Sequence, residues 1–184
     1  CIGVSVQPTS GTLTDNYDPK TDVLSLSENV FGSSSIAALG VAAHECGHAC
    51  QQYENSFFLK LRSILVPVTN IGSRAAVPVA IIGLVLEWIL AGSQNFGSYV
   101  LAFGILLYSL STVFALVTLP VEIGASSRAM KMLKEENFLE GKELSGARRV
   151  LTAAALTYVA SLVVSLLYLL RFLLILASLR KRND

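Results

Sequence analysis

Two histidines serve a chain of 184 residues, and they stand four apart. The stretch VAAHECGHACQQ, residues 41–52, carries His44 and His48 with Glu45 between them. On a helix, residues four apart lie one above the other on one face, so both imidazoles can grip a single metal ion. Neutral imidazole suits Zn2+, and two such ligands leave room for a third protein ligand and a water. Glu45, next to the first histidine, can reach that water. Zinc lowers the water's pKa towards about 7, and a carboxylate then takes its proton as it attacks a carbonyl. H-E-x-x-H on a helix is therefore the pattern of a metal-assisted hydrolase. The bland reading, two histidines satisfying hydrogen bonds on a polar helix, is weakened by the absence of histidine elsewhere.

With no histidine left, the third ligand must be sought among Asp, Glu and Cys. Glu122 stands out in TLPVE, directly after the second long apolar segment. A proline at 120 followed by an acid is equally the chemistry of a helix start. Asp15, Asp18, Asp22 and Glu28 compete for the role. Cys46, at i+2 from His44, points away from the histidine face. Cys46 and Cys50 share a helix face and read as small apolar packing residues in a reducing compartment. Three cysteines without a CxxC pair imply no disulfide framework. Hydrolysis also needs an oxyanion stabiliser, for which Tyr17, Arg128 and Tyr158 are candidates. Arg128 reads equally well as a surface or phospholipid-facing charge.

Composition says where these residues must work. Hydrophobic residues make up 53% and charged residues 15%, with a mean hydropathy of +0.59. Soluble domains carry about 25% charge, so the balance points to a membrane. A net charge of +1 leaves no footprint for nucleic acid. The spans hold only Glu87 and Arg171 as ionisable groups, too few for an evident ion pathway, which argues against a channel or transporter.

The expected fold is mainly α, an integral membrane protein with about three transmembrane helices, a zincin-like HExxH helix and a short N-terminal β-hairpin. LTDNYDPKTDVLSLS (13–27) reads as strand, turn, strand, since Asp18-Pro19 with Lys20 and Thr21 is turn chemistry and VLSLS alternates. That hairpin is either a structural flap or a strand edge for an extended peptide. A serine cluster then opens a helix from about Ser34 to Tyr53. FFLKLRSILVPVTNIGSR follows as an amphipathic segment in which Pro67 and Gly72 break any long helix. Residues 75–91, 98–119 and 150–179 are apolar enough to span. The last is longer than a membrane is thick, so its first turns pack on the polar part. Between the second and third spans, 121–149 is charged and helical, with GKELSG as its break. The blocks 1–56, 57–119, 120–149 and 150–184 are expected to form one catalytic unit.

Three spans place 1–74 and 120–149 on the same side. Together these hold ten Lys/Arg: Lys20, Lys60, Arg62, Arg74, Arg128, Lys131, Lys134, Lys142, Arg148 and Arg149. The 92–97 loop holds none, and the tail carries Arg180, Lys181 and Arg182. The positive-inside bias therefore puts the polar side in the cytoplasm. The chain starts at Cys1 without an initiator methionine or signal-peptide pattern, and reads as cut; a lipidated Cys1 is the other reading.

DNYDPKTDVLSLS, SIAALGVAAHECGHACQ, TLPVEIGASSRAM and GARRVLTAAALTYVA together resemble the neutral zinc metallopeptidase family of bacteria, the YugP-like membrane proteins. The likeness runs from about Gly11 to about Leu174, with the blocks in the family's order. It implies a membrane-embedded zinc peptidase. By analogy with gluzincins and HtpX-type membrane peptidases, it implies Glu122 as third ligand in an E-x-x-A pattern with Ala125. The aspartate that follows this alanine in the HtpX-type pattern is Ser126 here, a weaker orienter of the metal ligand. Gly124 and Ser127 also stand where the family carries more polar or basic residues. A further N-terminal hydrophobic segment, normal in the family, would lie upstream of Cys1. The expected function is a zinc metalloendopeptidase: His44, His48 and Glu122 hold Zn2+, Glu45 is general base, and the substrate is a membrane or membrane-near polypeptide. A membrane scaffold or chaperone-like protein with a structural or inactive zinc site is the alternative.

Overall fold

The computed structural model describes residues 3–90 and 96–183. Seven elements follow in order: β1 (Ser5–Thr9), β2 (Asn16–Asp18), β3 (Val23–Ser27), α1 (Ile36–Tyr53), α2 (Phe57–Ile89), α3 (Phe96–Glu135) and α4 (Gly141–Asn183). They divide into two compact units, Cys1–Lys60 with Thr118–Tyr158, and Leu61–Val117 with Val159–Asp184. Cys1, on which the lipidation reading rests, and most of the 92–97 loop lie outside the described residues.

In the first unit, the alternation of VLSLS is realised as β3, whose Leu24 and Leu26 are buried. β2 pairs with it antiparallel, Tyr17 opposite Leu24. Asp18 closes the turn between them, accepting from the Lys20 amide and the Thr21 hydroxyl at 2.9 Å each. The sheet has a third strand that the hairpin reading did not include. β1 runs parallel to β3, Ser5 opposite Val23, giving the order β1-β3-β2. SVQPT carries no apolar alternation, and its Pro8 suits an edge position.

α1 starts two residues after the expected boundary, because Ser35 is the cap: its Oγ accepts from the Ala38 amide at 3.2 Å. At its N-terminal end Ile36, Leu39 and Ala43 pack against the buried Leu133, Leu139 and Ala147. Towards its other end, α1 touches α3 backbone to side. A Cβ at Gly47 would stand 2.4 Å from the Ala125 carbonyl oxygen. Only glycine allows this approach, so the third non-histidine letter of HECGH sets the distance between the histidines and α3.

Three expectations about breaks fail. Glu122 does not open a helix: α3 runs unbroken from Phe96 to Glu135 with Pro120 inside it. One missing amide removes one i→i−4 bond, and packing on both sides of Pro120 outweighs that loss. GKELSG likewise does not interrupt a helix but forms the first turns of α4. The break lies at 136–140, where Asn137 takes a left-handed φ of 56° and the Phe138 and Leu139 amides both bond back to the Leu133 carbonyl. As expected, the first turns of α4 belong to the polar unit, with Ala147 and Leu151 buried.

Nor do Pro67 and Gly72 break α2, which is continuous over Phe57–Ile89. Thr69 donates to the Leu65 and Val66 carbonyls at 2.8 and 3.2 Å in the turn around Pro67. Gly72 is a packing residue, its Cβ position 3.1 Å from Leu110 Cδ1. The same device recurs through the second unit, where Gly83 lies against the Leu101 backbone and Gly104 against Ala80. Ala80, Leu101 and Ile105 form its core, covered by Leu169, Phe172, Ile175, Leu176 and Leu179. Buried Thr112 and Ser165 share a hydrogen bond of 2.7 Å. Many of its large apolar side chains, such as Ile81, Phe103, Leu167 and Leu174, point outward. α2, α3 and α4 are each long and apolar enough to cross a membrane.

Candidate metal centre

His44 and His48 sit on one face of α1 with ring centroids 4.8 Å apart. Opposite them α3 presents Glu122, 1% exposed. Glu122 Oε2 lies 3.2 Å from His44 Nε2 and 3.6 Å from His48 Nε2. The ligating atoms of the three residues all fall within 4.8 Å of one another. Two Zn–ligand bonds of about 2.1 Å at a tetrahedral angle put the bonded atoms about 3.4 Å apart, and the two carboxylate–imidazole distances bracket that value. Two imidazole nitrogens and one carboxylate are a donor set that suits zinc.

The hydrogen-bond network says which nitrogen faces the cluster. Gln51, 2% exposed, has its Nε2 donating to the Val121 carbonyl at 2.7 Å. A carbonyl only accepts, so the amide orientation is determined, and Gln51 Oε1 must face His48 Nδ1, 3.0 Å away. Nδ1 therefore carries a proton, and in neutral His48 the lone pair is on Nε2, aimed at an anionic oxygen. Two acceptors that close in a buried site need a cation between them, either a proton or a metal ion. In the metal-free site burial pulls the His48 pKa down, but Glu122, with the charge of Glu45 and the hydrogen bond to Gln51, outweighs it and raises the pKa above the ordinary value. His44 is held similarly from behind, its Nδ1 3.1 Å from Ser126 Oγ. Ser126 thus reaches the His44 ring despite its short side chain.

Glu45 is partly buried beside these groups. Burial raises its pKa above the ordinary carboxylate value; the fields of His48 and His44 oppose the rise, while Glu122 and Asp15 add to it. The competing acids have other employment. Asp15 accepts from the Ser27 amide at 2.8 Å and from its hydroxyl at 3.0 and 2.9 Å. Asp18 closes its turn, Asp22 accepts from the Tyr17 hydroxyl at 2.6 Å, and Glu28 is exposed. None of the four belongs to the His44, His48 and Glu122 group.

Of the oxyanion candidates, Tyr17 is committed to Asp22. Its pKa is pushed up to about 12 by burial first, then by the Asp22 hydrogen bond and the charges of Asp22 and Asp18. Arg128 pairs with Glu54 and donates to the Gly124 carbonyl at 3.1 Å. Tyr158 is half-buried on α4. Gln51 is the participant that sequence reasoning missed. Its spacing of three from His48 places it on the same helix face, the one signal that points to it.

The family described as "Putative neutral zinc metallopeptidase" matches residues 2–177. The chain is 46% identical over 180 residues to the "Putative membrane protease YugP" of Bacillus subtilis (strain 168), an alignment covering 98% of this chain and 76% of that protein. No solved structure matches.

Proposed function

The chain belongs to the neutral zinc metallopeptidase family, and from that premise we propose that it is a zinc-dependent membrane endopeptidase of the HExxH-plus-glutamate type. His44, His48 and Glu122 are the metal ligands and Glu45 is the general base. The observation that carries this reading is the meeting of His44 and His48 with Glu122, 74 or more residues further along the chain, in one group of ligating atoms.

Zinc, when bound, supplies a Lewis acid for the scissile carbonyl and acidifies a water. The chain's residues do the rest. Gln51 and Ser126 hold the imidazoles by Nδ1, which keeps both Nε2 atoms turned inward. Glu45 takes the proton of the attacking water and returns it to the nitrogen of the leaving amine. Its raised pKa serves both steps, because a carboxyl nearer to neutrality is a better base and is more often protonated when an acid is needed. The family's relation to a membrane protease and the three apolar helices support a polypeptide substrate near the bilayer.

Cleavage of an unfolded protein by the purified chain in detergent tests the reading. Removing zinc with a chelator is expected to abolish cleavage, and restoring stoichiometric zinc to return it. Cleavage indifferent to the chelator would remove zinc from the reaction. The ten Lys/Arg residues of 1–74 and 120–149 support an orientation with the metal centre on the cytoplasmic face of a multi-pass cell-membrane protein. A cysteine introduced at exposed Glu136 should escape a membrane-impermeant thiol reagent in intact cells and react after lysis. Labelling before lysis would reverse the orientation.

A further inference from the structure

A groove of about 530 Å³ lies in the first unit between the C-terminal turns of α1 and the end of the sheet where β2 turns into β3. α1 contributes Ala49, Gln52, Tyr53 and Glu54 to its walls, and the sheet end contributes Tyr17 and Asp22. Ala49 and Gln52 follow Glu45 by four and seven residues, so they continue the helix stripe on which Glu45 stands. At 1.5 Å per residue the groove begins about 6 Å beyond Glu45 and extends past 10 Å. An extended peptide covers that distance in about two to three residues.

The groove's walls are of two kinds. Val4, Pro19, Ala49 and Cys50 give an apolar floor, and the Tyr53 ring, 87% exposed, stands at the rim. Asp22 and Glu54 bring two carboxylates, and among the described residues none of the lining is Lys, Arg or His. The local field is negative enough to help hold the Tyr17 hydroxyl protonated to about 12, after burial itself. Arg128, which is outside the lining, pairs with Glu54. An apolar floor for a methylene stem, aromatic rings, and the Asp22 carboxylate suit a long cationic side chain.

We propose that this groove is a substrate subsite for a lysine or arginine side chain two to three residues from the scissile bond of an extended polypeptide. This rests on the peptidase reading above. Occupancy of the groove directs the chain across Glu45, so the protein selects basic segments. Such segments flank membrane spans on the side where positive charge accumulates.

The test uses zinc-loaded Glu45→Gln protein in detergent, which binds without cutting. A single lysine is walked along a set of short fluorescent peptides, with norleucine in the matched set, and binding is read by anisotropy. At one or two positions lysine should bind about 10-fold tighter than norleucine, as a hydrogen-bonded charge would. The gap should narrow as salt is raised. Asp22→Asn should reduce it to less than about twofold. Asparagine tolerates the left-handed φ of 51° at this position and still accepts the Tyr17 hydroxyl, so the variant changes charge and not shape. Equal binding at every position, binding by none of the peptides, or a gap that survives Asp22→Asn overturns the proposal. The two readings fail separately. Lysine-dependent binding of peptides that the parent chain never cuts would overturn the peptidase and leave the groove. Cleavage indifferent to lysine would do the reverse.

Discussion

Glu45→Gln is expected to take up zinc as the parent chain does and to lose roughly 10²–10⁴-fold in kcat, the usual contribution of a positioned general base. The amide has the carboxylate's size and occupies the same place, but it cannot accept the water's proton or return one to the leaving amine. The substitution should not damage the fold. Burial raises the Glu45 pKa, so ionising this group costs the folded state more than the unfolded one. The stability attached to it is fully present below the unfolded pKa and is lost as pH rises through the folded one. A neutral side chain escapes that loss. The zinc-free variant should therefore melt at or above the parent's temperature near neutral pH, and a dead enzyme cannot then be explained by unfolding. Zinc content, thermal midpoint and cleavage of an unfolded protein, measured on identically prepared samples, decide the matter. Equal cleavage by both proteins would point to a contaminating protease. Zinc lost along with activity would make Glu45 a ligand and not the base.

The helix carrying the two histidines was legible because its signals are local and rare. HECGH contains every histidine of the chain, and a serine cap precedes an alanine-rich run with no proline. The three long apolar segments were legible for the same reason, since hydropathy needs no partner to be read. What the sequence hid depends on partners far along the chain. Glu122 reads as a helix-start acid only while Pro120 is taken to begin a helix; continuity of α3 through Pro120 removes that reading, because a helix interior has no free amides to complement. Pro67 and Pro78 are tolerated in α2 likewise. Propensity counts the lost bond and cannot see the packing that outweighs it. β1 was invisible because its order comes from pairing with β3 and not from its own pattern. Gln51 became meaningful only when the Val121 carbonyl, 70 residues away, took its amide.

Glu122→Ala should show which contacts make the site. Removing it leaves two imidazoles on one helix and nothing from α3, so zinc affinity should fall by more than the 10–100-fold that follows loss of an outer hydrogen-bond partner. Gln51→Ala sets that comparison: its Oε1 orients His48 without touching the metal, so it should fall within the 10–100-fold range. Both are read by competition with a chelating dye. The metal-free proteins give a second, independent signature. Glu122 raises the His48 pKa against the opposing effect of burial. The stability from this pair is thus full below the unfolded histidine pKa and is lost as pH rises through the folded one. Metal-free Glu122→Ala should accordingly melt below the parent in mild acid and approach it as pH rises through the parent's folded His48 pKa. A merely structural carboxylate would lower the midpoint at every pH and leave zinc affinity unchanged. Normal zinc affinity in Glu122→Ala would strike that residue from the ligand set and return the third position to the acids of the hairpin. Among these Asp15 is the nearest in effect, because its charge already reaches Glu45.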